Sequence, residues 1–312
     1  MEPIDPPFQD FYKKLFSVNH IFNEHCPEDI ELEAPIQAKE CKLELPLIDL
    51  SRLNQGSIDR EDCKREIADA SREWGVFQVV NHGVSLEILE KMRCEQVKAF
   101  NKPFREKVNG LPELNFAAGS YRWGTPSATC LRQLAWSEAF HVPLSEMSTM
   151  GVGSATDLSM TMKKCATMFS NLAEELAEIL GEMIGRSSKF FKENCVPNMC
   201  YFRMSRYLPC PFSPQVFGLM PHTDSDFLTI LHQDHIGGLQ ILKDRKWINV
   251  NPKQETLIVI IGDLYQAWSN GVYKSVEHRV IANKQFEREF RQQVQDDVKR
   301  HGHKVGLSRF IL

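Results

Sequence analysis

Short apolar segments rich in β-branched and aromatic residues dominate the chain from residue 200 onward, and Gly, Pro and Asn separate them. They cover residues 201–207, 227–231, 239–242, 247–250, 257–261 and 278–282. Segments of this length and composition are typical of strands. Many short strands at close spacing favour a sandwich or barrel of the kind found in jelly rolls and cupins. This part of the chain therefore restricts the fold more than any other.

Helical periodicity flanks the strand-rich part on both sides. Residues 86–101 and 160–184 repeat apolar side chains at intervals of three and four, and residues 286–298 repeat them four apart among charged residues. Near the beginning, a strand, a helix and a second strand are expected between residues 45 and 80. We predict a mixed α+β fold, with a helix and strand region over 1–150, a β-core over 195–283 and a C-terminal amphipathic helix over 284–312.

The composition narrows the kind of ligand. Hydrophobic residues make up 42% and charged residues 25% of the chain, and the net charge is −4, so there is no basic surface to attract nucleic acid. The most apolar stretch, 257–261, is too short to cross a bilayer. Glu2, Asp5 and three prolines stand where a secretory signal needs a basic start and an apolar run. We expect a small-molecule substrate, no nucleic-acid or membrane partner, and a cytoplasmic location, with the nucleus as a second compartment.

Two imidazoles and one carboxylate are the candidate metal ligands. His222 and Asp224 are two residues apart, and side chains at that spacing point to the same side of a strand. His278 lies on a later predicted strand. This ligand set is the facial triad of iron(II) oxygenases, which leaves coordination positions open. The nine cysteines are scattered and contain no CxxC pair, so they do not indicate a zinc site.

A single His-x-Asp pair is more often a pair of ordinary polar residues, but here it occurs with further motifs. Together they resemble the plant family of 2-oxoglutarate- and iron(II)-dependent dioxygenases, and they occur in that family's order across most of the chain. The motifs are Trp74-Gly75-Val76-Phe77, Asn81-His82-Gly83, His222-x-Asp224, Trp268-Ser269-Asn270-Gly271 and His278-Arg279-Val280. The resemblance implies a double-stranded β-helix core, iron(II) as the metal, 2-oxoglutarate as cosubstrate and ascorbate as an accessory reductant.

A further block resembles the gibberellin 2-oxidases that act on C20 gibberellins. It runs from Tyr121-Arg122-Trp123 through Gln133 to the segment 136–141. These substrates are apolar acids, so a pocket with aromatic walls and cationic contacts is expected. Tyr121 and Arg122 are the candidate substrate contacts. The alternative is that Tyr121 and Trp123 are core aromatics and that Arg122 pairs with a nearby acid.

The resemblance also assigns the contacts of 2-oxoglutarate. In the family an Arg-x-Ser pair and the tyrosine of an Asn-x-Tyr segment hold its distal carboxylate. Here Tyr207 keeps the tyrosine position, and Ser205 replaces the asparagine. Arg288 stands at the expected arginine position, ten residues after His278, but Phe290 replaces the serine. The Arg288 contact is therefore doubtful.

The C-terminal part departs from the family pattern. The sequence after Arg288 has helical periodicity where the family continues as strands, and the chain looks shortened by roughly 30 residues, enough for two strands with their connections. The fold is expected to lack its last core strands and to expose a new sheet edge. Three functions stay open: a C20 gibberellin 2-oxidase, a dioxygenase of another plant metabolite such as a flavonoid, and a shortened metal-binding variant with weak or no activity.

From this departure we predict weaker 2-oxoglutarate binding or slower turnover than in a full-length gibberellin 2-oxidase. A bidentate arginine–carboxylate contact is strong because charge and geometry agree, and an arginine displaced into a helix does not replace it. Succinate release measured for both enzymes under the same conditions tests this. A turnover equal to that of the full-length enzyme contradicts it.

Overall fold

The computed structural model describes residues 2–18, 44–111, 119–147, 156–187, 191, 200–213, 215–253, 255–282 and 309–311. The α-helices are α1 (Phe8–Phe11), α2 (Lys13–Val18), α3 (Ser57–Glu73), α4 (Leu86–Phe100), α5 (Phe104–Val108), α6 (Leu144–Met147), α7 (Asp157–Glu182) and α8 (Asp263–Trp268). The strands are β1 (Leu47–Asp49), β2 (Val76–Val80), β3 (Tyr121–Trp123), β4 (Ser137–Pro143), β5 (Tyr201–Tyr207), β6 (Phe217–His222), β7 (Leu228–Leu231), β8 (Leu239–Lys243), β9 (Lys246–Asn249), β10 (Leu257–Ile261), β11 (His278–Ile281) and β12 (Arg309–Ile311).

Three sheets of four strands form the β part of the fold. Their strand orders are β1-β2-β10-β7, β6-β11-β8-β9 and β12-β5-β4-β3. The first two sheets share one apolar cluster, to which Leu231, Ile241, Ile258 and Val280 belong. Every side chain of β10 is buried, as expected for a strand that reads as a continuous apolar run. The mixed α+β prediction with a sandwich or barrel core is confirmed.

The long helix α7 packs its apolar face into the main core. Leu172, Leu176 and Leu180 repeat at intervals of four residues and are all buried. The helix begins earlier than the periodicity indicates, because Thr156 caps it and exchanges hydrogen bonds with Ser159. α7 thus gives the sheets a rigid support on one side. Among the described residues, no helix combines the length and apolar character needed to span a membrane.

Two tyrosines fasten the segment between β10 and β11 to α7. The fully buried hydroxyls of Tyr265 and Tyr273 donate hydrogen bonds to the carbonyl oxygens of Ala177 and Leu180, each at 2.8 Å. Buried hydroxyl groups need such partners to offset the loss of water. The chain is therefore held firmly as it approaches His278.

The C-terminal part requires a correction. The helix predicted over 286–298 lies outside the described residues, but residues 309–311, which we had included in that helical segment, form the strand β12. β12 pairs antiparallel with β5, on the side of β5 opposite to β4. β12 therefore covers the edge of β5 over these three residues; the new sheet edge that the shortened chain implies stays a prediction.

Gly75 links the N-terminal region to the segment before His278. Its φ is +70°, its carbonyl oxygen accepts a hydrogen bond from the N–H of Ile261, and a Cβ at this position would lie 2.3 Å from the carbonyl oxygen of Lys274. Gly83 has a similar φ of +78° but open space around it. Alanine substitutions at the two glycines therefore separate two destabilising effects. Both variants have the cost of a left-handed backbone, and only the variant at Gly75 has the steric clash with Lys274.

We expect Gly75→Ala to destabilise the protein by about 2 kcal/mol more than Gly83→Ala. The left-handed conformation costs both variants about 1–2 kcal/mol, whereas overpacking against Lys274 adds about 1–3 kcal/mol to the first alone. The free energy of unfolding from guanidinium titration measures the difference. Equal losses in the two variants would show that the close approach of Lys274 is not a constraint.

Candidate metal centre and adjoining pocket

Antiparallel pairing of β6 with β11 places His222 directly opposite His278. The two imidazole centroids are 4.3 Å apart. Nδ1 of His222 lies 2.7 Å from the carbonyl oxygen of Met220, and Nδ1 of His278 lies 3.2 Å from that of Val276. A carbonyl oxygen only accepts, so in both rings Nδ1 carries the proton and Nε2 keeps its lone pair for a metal.

Asp224 reaches the same point by a different route from the one we predicted. β6 ends at His222, so strand alternation does not orient Asp224. Instead the carbonyl oxygen of Asp224 accepts the N–H of Asp263 at 2.8 Å, and the hydroxyl of Thr223 donates to Oδ2 of Asp263 at 3.0 Å. The beginning of α8 therefore positions the ligand loop. Gly262 makes this possible, because a Cβ there would lie 1.9 Å from the carbonyl oxygen of Asp226.

The three side chains fit a single divalent cation. Oδ1 of Asp224 lies 3.7 Å from Nε2 of His222 and 3.8 Å from Nε2 of His278, and the three ligand atoms all lie within 4.8 Å of one another. Ligands bound at about 2.0–2.2 Å on one ion are at most about 4.4 Å apart, and both contacts of Asp224 satisfy this limit. Oδ2 of Asp224 is buried without a hydrogen-bond partner, which a cation would supply.

Burial keeps His222 in the form that binds metal. Burial, followed by the nearby imidazole of His278, lowers the pKa of His222. A ligating imidazole has to be neutral. The site therefore favours the ligand state of His222 before any cation arrives.

One face of the β3–β4–β5 sheet is directed towards this centre. Directly paired residues of antiparallel strands share a face, and the register pairs Tyr207 with Ser137, Ser205 with Ala139 and Arg203 with His141. Two contacts show that this face is directed towards the metal centre, and we call it the inward face. The ring of Tyr207 lies against Gly218 of β6, and the hydroxyl of Tyr201 donates to Oδ2 of Asp226 at 2.9 Å.

The predicted 2-oxoglutarate contacts lie on this inward face. Ser205 and Tyr207 are both buried, with exposed fractions of 3% and 6%. Arg288 and Phe290 lie outside the described residues, so their predicted role stays a prediction. The structure thus brings two of the three candidate cosubstrate residues to the face of the sheet that is directed towards the metal centre.

Tyr121 and Arg122, the candidate substrate contacts, lie on opposite faces of the sheet. Arg122 pairs with Ala139 and so shares the inward face. Among the described residues it has no ion-pair partner, which does not support the alternative in which an acid neutralises it. Tyr121 pairs with Phe140 on the other face, where it is buried in the main core. The core interpretation therefore describes the position of Tyr121 better than the substrate contact does.

The opposite face of the sheet, which we call the outward face because it points away from the metal centre, carries a buried ionic cluster. Glu138 accepts hydrogen bonds from Lys107 at 2.6 Å, from Arg206 at 2.7 Å and from the hydroxyl of Tyr121. Burial lowers the pKa of Lys107, and the charge of Glu138 opposes that shift. Arg206 also pairs with Asp5 at 2.8 Å. The cluster joins β3, β4, β5 and the N-terminal segment on the side away from the metal centre.

Several residues of the inward face were not singled out from the sequence. His141, Tyr201 and Arg203 alternate with the buried residues of β4 and β5. The ring of His141 packs against that of Tyr201, with centroids 3.9 Å apart and ring planes inclined at 31°. The period-two pattern of β5, read outward from Tyr207, was the signal that could have identified Arg203 and Tyr201.

Comparison with known proteins agrees with this geometry. Residues 194–291 match the model of the 2OG-Fe(II) oxygenase superfamily, and residues 45–150 match the model of the non-haem dioxygenase in morphine synthesis N-terminal region. Gibberellin 2-beta-dioxygenase 8 from Arabidopsis thaliana is 51% identical over 339 residues, which covers 99% of each protein. The chain belongs to the 2OG-Fe(II) oxygenase superfamily.

Solved structures lead to the same fold. Dioxygenase for auxin oxidation 1 from Arabidopsis thaliana, in its binary complex with 2-oxoglutarate, has a TM-score of 0.63 at 28% identity and covers 86% of this chain and 90% of that one. JOX2 in complex with 2OG, Fe and JA has a TM-score of 0.66 at 25% identity, covering 100% and 83%. The double-stranded β-helix core, iron(II) and 2-oxoglutarate are thereby confirmed; ascorbate remains an expectation.

The chain is shorter than its Arabidopsis relative within the region that the two share. Their alignment extends over 339 residues, whereas this chain has 312, so at least 27 positions of the relative (339 less 312) have no counterpart here. Because the alignment covers 99% of both proteins, these positions lie inside it. This agrees in size with the predicted shortening of roughly 30 residues, about two strands with their connections.

We expect Gly262→Ala to weaken iron(II) binding by about ten-fold or more. The new Cβ displaces the 224–226 loop, which carries the Asp224 ligand, and loss of ligand support typically costs 10–100-fold in metal affinity. Anaerobic calorimetric titration with iron(II) gives the affinity. The matched control is Gly56→Ala, because Gly56, like Gly262, has a negative φ and precedes a helix, but it has open space around it; an equal loss of affinity there would argue against the steric explanation.

Proposed function

We propose that this chain is a gibberellin 2-oxidase, which hydroxylates C20 gibberellins at C2 and consumes 2-oxoglutarate and dioxygen to give succinate and carbon dioxide. The observation that carries the proposal is 51% identity with a gibberellin 2-beta-dioxygenase along 99% of both proteins. Three further relatives of that name, from rice and Arabidopsis, are 38–40% identical over at least 98% of this chain. The C20 preference rests on the block from Tyr121 to His141.

The residues of the chain divide the work of the reaction. His222, Asp224 and His278 would hold iron(II), and the metal with 2-oxoglutarate supplies the activation of dioxygen when both are bound. Ser205 and Tyr207 offer hydroxyl groups to the cosubstrate from the inward face of β5. The protein also has to direct the C–H bond at C2 towards the metal and to keep water away from it.

Neither alternative function is favoured by the relatives. A feruloyl CoA ortho-hydroxylase from Arabidopsis is 35% identical but covers only 78% of this chain, less than the gibberellin enzymes do. The reading as an inactive metal-binding variant requires a damaged metal centre or cosubstrate wall. The centre is intact in its three ligands, and Ser205 and Tyr207 remain on the inward face.

The test is to incubate the iron-loaded protein with 2-oxoglutarate, ascorbate and a panel of C20 gibberellins, C19 gibberellins and flavonoids. We expect succinate together with a C20 gibberellin product that is heavier by one oxygen atom, both followed by mass spectrometry. The His278→Ala variant is the control, because it removes one ligand and should release no succinate while remaining folded by circular dichroism.

Two outcomes would contradict the proposal in different ways. Hydroxylation of a flavonoid without that of any gibberellin would keep the chemistry and remove the substrate. Iron binding without succinate from any substrate would favour the inactive variant.

A further inference from the structure

We propose that Arg203, together with Arg122, forms a carboxylate-binding wall for the substrate beside the metal centre. This inference rests on the proposed function, because it assigns the part of the pocket that selects an acidic substrate. The two arginines lie on the inward face on either side of β4, since Arg203 of β5 pairs with His141 and Arg122 of β3 pairs with Ala139, two residues earlier on β4.

The depth of the side chains along β5 separates this wall from the cosubstrate. Tyr207 and Ser205 are almost completely buried, with 6% and 3% exposure, whereas Tyr201 is 43% exposed and Arg203 is exposed as well. The inward face therefore runs from a closed end, where a small cosubstrate is enclosed, to an open end. A larger substrate that enters from the open end passes Tyr201 and meets Arg203 before it reaches Ser205 and Tyr207.

The wall is positively charged and uncompensated. Among the described residues, neither Arg122 nor Arg203 forms an ion pair; Nε of Arg203 donates to the hydroxyl of Ser205 at 3.1 Å. Both arginine charges act on His141: burial, then Arg122 and then Arg203 lower its pKa to about 4. His141 is therefore neutral at physiological pH, and the two arginines are the charges that an acidic ligand would meet.

The wall is also close to the metal ligands. The hydroxyl of Tyr201 donates a hydrogen bond to Oδ2 of Asp226, which lies two residues after the ligand Asp224. A carboxylate held here would bring the attached carbon skeleton over the metal.

The ligand that fits is an apolar acid with one or two carboxylates. Guanidinium groups bind carboxylates in a bidentate fashion, and this contact gives both strength and orientation. Two unpaired cations on one wall repel each other until an anion binds, so the wall favours acids over neutral analogues of the same shape. The rings of His141 and Tyr201 pack against each other and offer an apolar surface next to this wall.

The experiment measures substrate affinity without turnover, in anaerobic samples that contain iron(II) and 2-oxoglutarate. The probes are a C20 gibberellin diacid and its dimethyl ester, and equilibrium dialysis gives both dissociation constants. We expect Arg203→Gln and Arg122→Gln each to weaken diacid binding by about ten-fold or more. Binding of the ester, and the separately titrated affinities for 2-oxoglutarate and iron(II), should stay unchanged.

Arg60→Gln on the exposed face of α3 is the matched control, since it removes the same charge far from the inward face and should leave diacid binding unchanged. Three results would overturn the proposal: Arg203→Gln binding the diacid as the unchanged protein does, losing diacid and ester equally, or losing 2-oxoglutarate instead.

A panel of other apolar carboxylic acids separates failure of the wall from failure of the proposed function. If the unchanged protein binds no gibberellin but binds another acid in an Arg203-dependent manner, the wall stands and the gibberellin assignment falls. If no acid binds in that manner, the wall itself is overturned.

Discussion

The pairing of β6 with β11 is the interaction on which the rest of the site depends. It sets His222 and His278 opposite each other although 55 residues separate them in the sequence, and a slip of one residue would turn one imidazole to the other side of the sheet. The other groups of the site are positioned around this pair. The backbone carbonyls of Met220 and Val276 fix which nitrogen each ring presents, and the beginning of α8 brings in Asp224. The chain between β10 and β11 can hold this register because Tyr265 and Tyr273 anchor it to α7.

The two faces of β5 differ in electrostatic character, because the arginine of one face is neutralised by acids and the arginine of the other is not. On the outward face Arg206 is neutralised by Glu138, a carboxylate that Lys107 and Tyr121 also contact. Such a buried cluster contributes little net stability, because the desolvation of its charges offsets much of their attraction. On the inward face Arg203 has no such partner among the described residues. Of the two arginines of β5, the one without an ion pair among the described residues is therefore the one on the face directed towards the metal centre.

The sequence predicted the parts of the fold that have a clear local pattern. The strands 201–207 and 257–261 appear with exactly the expected bounds, because alternation or a continuous apolar run marks them. β6 was missed, since Gly218 and Pro221 interrupt its pattern, yet Gly218 is needed to admit the ring of Tyr207. The ligands His222 and Asp224 were expected to share a strand face, but the hydrogen bond from Asp263 positions the aspartate. That contact joins residues 39 apart and leaves no local signal.

The same limit explains why Tyr121 and Arg122 were predicted as a pair and found apart. A motif that is contiguous in sequence invites a shared role, but adjacent residues of a strand necessarily point to opposite faces. Without knowing that residues 121–123 form β3, the sequence could not separate a core tyrosine from a pocket arginine.

The C-terminal region differs from β3 in that its strand was not predicted from the sequence at all. An uncovered sheet edge leaves backbone groups unpaired, and β12 supplies the partner for β5 over the residues that include Ser205 and Tyr207. The strand that carries the cosubstrate wall is thus paired on both sides, by β4 and β12, despite the missing positions.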